Sequence, residues 1–220
     1  MSNDISEKTK NYELTVLLPA LNEEESIGRI IEEIKNVLSK KNINYCILVS
    51  DNGSSDNTIK IAKDHNVLIN HVKDKGYGSN LKTSIKDVKS KYLIFFDSDG
   101  SYDPNEIVPM YEEIKQTNID MVYGNRLIRQ EKNSMPFLNR YLGTPVLSKL
   151  ISIFFGLKVK DCNSGMRMLK LQSFEKVNFF CKGMEFASEM FIKSKFNKLN
   201  IKEIIINFRK DFRSGSPHLS

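Results

Sequence analysis

Two aspartates separated by one serine, Asp97 and Asp99, follow directly on an apolar run at 92–96, YLIFF. On an extended backbone residues i and i+2 point to the same side, so the pair can present both carboxylates to one hard divalent cation. Such an ion keeps part of its water and draws its remaining ligands from phosphate oxygens. Gly100 beside it lets the backbone turn away. The pattern alone is weak. With twelve aspartates in 220 residues, a D-x-D arises by chance roughly 0.6 times per chain, and a helix cap plus a solvated aspartate would account for the same residues. The informative part is its position at the end of a buried run.

Other apolar runs end in the same manner. LTVLLP (14–19) delivers Pro19, Leu21 and Glu23; YCILVS (45–50) delivers Asp51 and an Asn-Gly turn; DMVYGN (120–125) delivers Arg126. Each has an ordinary explanation: acids suit the start of the helix at 22–41, and Asn-Gly with Ser-Ser-Asp makes a turn and helix cap. That explanation leaves Asp51 over, at a strand end where a carboxylate can accept hydrogen bonds from a base or ribose.

The elements that must carry these residues alternate. Strand-like runs at 14–19, 45–50, 67–70, 92–96 and 120–125 are separated by helical patterns, such as the isoleucines 27, 30, 31 and 34. Continuous apolar strands alternating with helices predict an α/β domain with a mostly parallel central sheet, covered on both faces. Ligands of such sheets bind beyond the carboxyl ends of the strands, which is where the carboxylates and Arg126 fall. The second half is less regular: an apolar stretch at 139–159 with a narrow polar side of Ser148, Lys149 and Ser152, a helix at 186–196, and a strand at 201–210. The expected organisation is a flexible tail at 1–12, one domain at 13–210 and a basic tail at 211–220.

A net charge of +6 and a pI near 9.0 suit an anionic partner, but no block of like charge stands out and nucleic acid is not expected. Cys46, Cys162 and Cys181 lack metal or disulfide spacing and read as buried thiols of a reducing compartment. The polar N-terminus has no signal-peptide core.

Taken in order, LLPALNEEESI, LVSDNGSSDNT, KGYGSNLKTSI, FFDSDGSYDP and YGNRL resemble the successive motifs of family 2 inverting glycosyltransferases with the Rossmann-like GT-A fold. DCNSGMRML (161–169) and KGMEFASEM (182–190) resemble its branch that glycosylates polyprenyl phosphates, of the dolichyl-phosphate mannose or glucose synthase type. The resemblance spans residues 13–219. It implies that Pro19, Leu21, Glu23 and Asp51 hold the nucleoside, and that Asp97, Ser98 and Asp99 hold Mg²⁺ or Mn²⁺ against the pyrophosphate of a GDP- or UDP-linked hexose. Ser101 would stand near the metal, and Arg126 by the donor phosphates or sugar. The family often carries an aromatic residue where Leu21 stands.

The leaving group of such a reaction is a nucleoside diphosphate, whose charge a divalent ion stabilises. A polyprenyl phosphate is already an anionic nucleophile and needs cations rather than a base; Arg167, Arg209, Arg213 and His218 are the candidates. A saccharide hydroxyl would instead require a general base, for which Glu185, one helical turn from Glu189, is available. A third alternative is a non-catalytic nucleotide-sugar-binding module. The stretch at 144–157 is too short to span a bilayer. It reads either as a core helix or as an interfacial one laying Leu147, Leu150, Phe154 and Phe155 on lipid. The resemblance favours a protein peripheral to the cytoplasmic membrane face. Relatives often continue into transmembrane helices where this chain reaches its basic end.

Overall fold

The computed structural model describes residues 2–116 and 118–213. Its centre is a seven-stranded sheet formed by β1 (Leu14–Ala20), β2 (Tyr45–Asp51), β3 (Leu68–His71), β4 (Tyr92–Phe95), β5 (Met121–Gln130), β6 (Arg167–Lys170) and β7 (Ile201–Phe208), in the order β3-β2-β1-β4-β6-β5-β7. All seven residues of β1 are buried, as the middle position of a covered parallel sheet demands. Strands β3, β2, β1 and β4 run parallel, and β7 is parallel to β5. β6 is the exception. It lies antiparallel to both β4 and β5 and joins them.

Period-2 alternation sends Leu14, Val16 and Leu18 into one core and Leu17 into the other. The first core is closed by α2 (Ile27–Leu38) and α5 (Ile107–Ile114). Ile27, Ile30, Ile31, Ile34 and Leu38 of α2 are each fully buried there, worth about 1.5–3 kcal/mol apiece relative to exposure. The second core is closed by α4 (Tyr77–Asp87) and α8 (Phe186–Phe196).

Three features depart from the sequence reading or add to it. Residues 2–9, expected to belong to a flexible tail, form α1 (Ser2–Thr9), which docks on α4. Its Ile5 is buried, Ser6 Oγ donates to the Asp87 carbonyl at 2.7 Å, and Lys89 N donates to Thr9 Oγ1 at 2.9 Å. One apolar residue in eight leaves no periodicity to read. The start of the basic tail is also ordered: Arg209 N and Phe212 N donate to the carbonyls of Ser101 and Asp99, both at 2.8 Å. Finally, α6 (Thr144–Phe155) faces the opposite way from an ordinary amphipathic helix. Its two serines turn inward while Lys149 stays exposed: Ser148 Oγ accepts Cys162 N at 3.0 Å and Ser152 Oγ donates to the Val159 carbonyl at 3.1 Å. Leu147, Leu150 and Phe154 are left exposed. Phe155, expected beside them, packs edge-on against Phe196 instead.

Candidate functional site

The carboxyl ends of β1 and β4 open on one cavity of about 180 Å³, lined by Pro19, Leu21, Glu23, Asp97, Ser98 and Asp99. Ala20, Asn52, Tyr77, Asn80, Met184 and Arg213 complete its wall. A larger, lysine-rich groove of about 1490 Å³ runs past Lys86 and Lys91. It lies at the amino end of β4, the wrong end of a parallel sheet for the expected chemistry.

The aspartate turn is tied down at each residue. Ser98 Oγ donates to the Pro19 carbonyl at 2.8 Å, joining the ends of β4 and β1. Ser101 donates to Asp99 Oδ1 through its N–H at 2.9 Å and its hydroxyl at 2.6 Å. Asp99 Oδ2 is left to meet Arg213 Nη2 at 2.8 Å. Ser101 thus orients Asp99 rather than facing the cavity itself. Gly100 takes φ +89° with the Phe212 ring pressed against it, so a side chain there would be strained and would collide.

Asp97 accepts a hydrogen bond from the Tyr77 phenol, and its pKa is pushed up to about 6, first by burial and then by the charge of Asp99. Gly165 closes over it: a Cβ at that position would lie 2.9 Å from Asp97 Oδ2. Glu23 is pushed up to about 7 by burial, partly offset by Arg213, with Asp99 adding to the rise. Carboxylates that resist ionisation together are short of positive charge. Two aspartates with space for phosphate oxygens match the donor set in which Mg²⁺ or Mn²⁺ is held at nucleotide sites, so these residues fit the implied ion.

The remaining candidates disperse. Asp51 is buried at the end of β2, accepting Ser54 N at 2.9 Å, Gly53 N at 3.1 Å and His71 Nδ1 at 3.2 Å. Burial opposes its ionisation, but these hydrogen bonds outweigh it and hold the pKa below the ordinary value. Its neighbour Asn52 is the one that reaches the cavity wall. Arg126 forms a fork with Asp161, Nε to Oδ2 and Nη2 to Oδ1 both at 2.8 Å. With these donors occupied, it does not line the cavity.

Arg167 corrects the sequence reading most sharply. It is 1% exposed, donates to the carbonyls of Ser164 (3.0 Å), Ala187 (2.7 Å) and Cys162 (3.0 Å), and lies 4.3 Å from the Phe191 ring centroid. A phosphate on a lipid has no path to it. Arg209 also faces away, pairing with Glu33 at 2.9 Å and donating to the Tyr102 carbonyl at 3.0 Å. Arg213 alone of these four cationic candidates is placed at the carboxylates among the described residues; His218 lies outside them. Glu185 is exposed, its carboxylate accepting Gly183 N at 3.0 Å. Glu189 is buried and accepts Phe180 N and Cys181 N at 2.7 and 2.9 Å, a structural role.

Sequence reasoning missed Asn52, Tyr77, Asn80 and Met184. Asn52 Nδ2 donates to the Val72 and Asp74 carbonyls, and Asn80 Nδ2 donates to the Ser50 carbonyl. These amides brace the floor below the strand ends, and an asparagine in a helical pattern carries no sign of that. Tyr77 opens α4 within KGYG, and its reach to Asp97 is a tertiary fact that no sequence pattern marks.

A mostly parallel sheet whose strand ends converge on paired aspartates defines the GT-A class of transferase folds. Glucosyl-3-phosphoglycerate synthase from Mycobacterium tuberculosis, solved with Mn²⁺, UDP and glucosyl-3-phosphoglycerate, superposes with a TM-score of 0.70. The match covers 99% of this chain and 77% of that one at 19% identity, a likeness of fold. The chain belongs to glycosyl transferase family 2, whose model matches residues 15–177. A low-salt glycan biosynthesis hexosyltransferase of Haloferax volcanii is 33% identical over 207 residues, 94% of this chain but 49% of that protein. The chain therefore spans about half the length of that relative. A UDP-N-acetylglucosamine–dolichyl-phosphate N-acetylglucosaminyltransferase of Methanococcus voltae is 29% identical over 87% of this chain and 83% of its own length. A dolichyl-phosphate hexose transferase of Haloferax volcanii is 25% identical over 94% and 86%.

Proposed function

We propose that the chain transfers a hexose, with inversion, from a nucleoside-diphosphate sugar to a polyprenyl phosphate at a membrane surface, with Mg²⁺ or Mn²⁺ held at Asp97 and Asp99. The observation that carries the reading is the meeting of Glu23, Asp97, Asp99 and Arg213 in one cavity at the strand ends. In the reaction the anomeric C–O bond to the diphosphate breaks, its electron pair leaving with the diphosphate oxygen. An acceptor phosphate oxygen forms the new bond from the opposite face. The divalent ion, when bound, neutralises the charge growing on the leaving group. Pro19 and Leu21 give the nucleoside an apolar wall, Asp51 supports it from below, and Ser101 keeps Asp99 aimed. Arg213 supplies the cation that an anionic nucleophile needs. Because that nucleophile carries no proton to remove, Glu185 is left without a catalytic task, and its bond to Gly183 N suits a structural one.

The lipid half of the proposal is supported by relatives named for dolichyl phosphate and by the outer surface around α6. Phe137, Leu138, Tyr141, Leu142, Ile153 and Phe154 are each more than half exposed. Residues 132–160 contain five cations, Lys132, Arg140, Lys149, Lys158 and Lys160, and no Asp or Glu. Lys160 pairs with Glu203 at 3.4 Å; an apolar face in a stretch that also carries Lys132, Arg140, Lys149 and Lys158 suits an anionic lipid surface, to which each cation near it adds about 1 kcal/mol of attraction. Among the described residues no helix is long and apolar enough to cross a membrane; the contact proposed for this face is a peripheral one.

The test is single-turnover transfer from UDP- and GDP-linked hexoses to a short-chain polyprenyl phosphate and, in parallel, to saccharide acceptors, with and without chelator. The expected result is transfer to the polyprenyl phosphate that chelator abolishes. Transfer to saccharides alone would replace the acceptor, and full activity in chelator would remove the metal.

A further inference from the structure

The segment after β7 is built onto the aspartate turn. Its backbone is bound to Ser101 and Asp99 by the two hydrogen bonds from Arg209 and Phe212. The Phe212 ring sits on Gly100, with the Arg29 guanidinium 3.7 Å and that of Arg209 5.3 Å from its centroid. Glu33 holds both arginines, each at 2.9 Å. This clamp fixes the root of Arg213 beside the carboxylates while leaving its guanidinium to choose among them.

What Arg213 does there is one good bond and several poor ones. Nη2 reaches Asp99 Oδ2 at 2.8 Å and Asp211 Oδ2 at 3.2 Å; Nη1 stands 3.4 Å from Glu23 Oε1. Its Nε is buried with no hydrogen-bond partner among the described residues. A guanidinium is best satisfied by a bidentate fork on one anion, and this one makes none. The oxygen that it holds, Asp99 Oδ2, is also the one that Ser101 leaves free for a metal ion. Two cations cannot share that oxygen without repulsion.

We propose that Arg213 is an exchangeable counter-cation that makes metal loading a condition for acceptor capture. It neutralises Asp99 while no divalent ion is bound; once such an ion takes Asp99 Oδ2, the guanidinium is released to grip the acceptor phosphate as a fork. The proposal rests on the reading of the site as a metal-dependent transferase with a phosphate acceptor. It adds a condition to that reading: the metal ion is loaded before the acceptor phosphate is held.

The experiment measures Mn²⁺ binding without activity, from the electron paramagnetic resonance signal of the free ion. Wild type, Arg213→Met and Asp99→Asn are titrated with Mn²⁺ alone and then with UDP present. If the arginine pair is closed in about nine molecules of ten, Arg213→Met should bind Mn²⁺ alone about tenfold more tightly than wild type, and Asp99→Asn should bind it least. Binding of geranyl phosphate should strengthen on adding Mn²⁺ and UDP in wild type and not in Arg213→Met. A readout that needs no variant is phenylglyoxal labelling of Arg213 in wild type, followed by mass spectrometry, which should rise when Mn²⁺ is added. Unchanged or weaker Mn²⁺ binding by a folded Arg213→Met, or labelling indifferent to bound Mn²⁺, overturns the exchange and leaves the transferase reading standing. Failure of wild type to bind Mn²⁺ even with UDP overturns the metal reading itself, and the exchange with it.

Discussion

Replacing Arg167 by methionine separates two readings of one residue. As an acceptor ligand its loss should raise the acceptor's KM; as the core residue seen here, its loss should destabilise the fold. The guanidinium satisfies the carbonyls of Cys162, Ser164 and Ala187, and hydrogen bonds involving a charged group are worth about 1.5–3 kcal/mol each. Part of that is returned, because the variant no longer keeps a cation out of water: burial already lowers the Arg167 pKa to about 10. Methionine also retains most of the packing on Phe191. Three buried carbonyls left without a donor cost about 1–3 kcal/mol each before that return, so the net loss expected is about 3–5 kcal/mol, a large part of a typical 5–15 kcal/mol stability. For a domain of this size that lowers the melting temperature by about 6–20 °C. Thermal denaturation followed by circular dichroism gives the shift, and acceptor KM is then measured well below the variant's melting point. A loss under about 1 kcal/mol together with a raised acceptor KM would refute the reasoning and return Arg167 to the phosphate.

Other outcomes follow from the same geometry. Glu185→Gln should keep most of its turnover, since a phosphate nucleophile needs no base; a fall of about 10²-fold or more would indicate a hydroxyl acceptor. Gly165→Ala should leave the fold intact but weaken Mn²⁺ binding, because its Cβ falls 2.9 Å from Asp97 Oδ2; an unchanged Mn²⁺ titration would contradict the closeness of that loop. A Phe137→Ser, Phe154→Ser double variant should lose binding to anionic phospholipid vesicles in sedimentation while keeping its melting temperature, and retained binding would discard the α6 face as the contact. Glu23 has a folded pKa of about 7 against an ordinary 4.5, so the fold favours its neutral form. The metal-free protein should lose stability from this group as pH rises through that interval, and Glu23→Gln should abolish that loss. A wild-type melting temperature that gains on Glu23→Gln with rising pH would reverse the sign and refute it.

The strands that deliver the carboxylates were legible because a doubly covered strand must be apolar throughout, and a polar residue at its end then stands out. Glu23, Asp97 and Asp99 share the cavity as their positions implied. Arginine has no such signature. The same side chain serves as a buried strut at 167, a fork on Asp161 at 126, a clamp on Phe212 at 209 and a site cation at 213, and only the surrounding carbonyls and carboxylates decide which. The short β6 was hidden for a related reason: its four residues follow Gly165 and Met166 and open with Arg167, so neither length nor apolar run marks it. The orientation of α6 was half legible, since its apolar breadth was plain while the inward bonding of Ser148 and Ser152 depends on a loop that the sequence leaves unplaced.

The position of β6 has a consequence for how the chain reaches this state. β1 to β4 come from residues 14–95, yet the free edge of β4 waits for residues 167–170 before it is paired. During synthesis at about 5–20 residues per second, some seventy residues must emerge while that edge stands open, a template for unwanted pairing with another chain. β5 and β7 cannot join the main sheet until the same four residues arrive. A slow, long-range closing step is therefore built into the topology, and substitutions in β6 should lower recovery of soluble protein by more than their cost in folded-state stability alone accounts for.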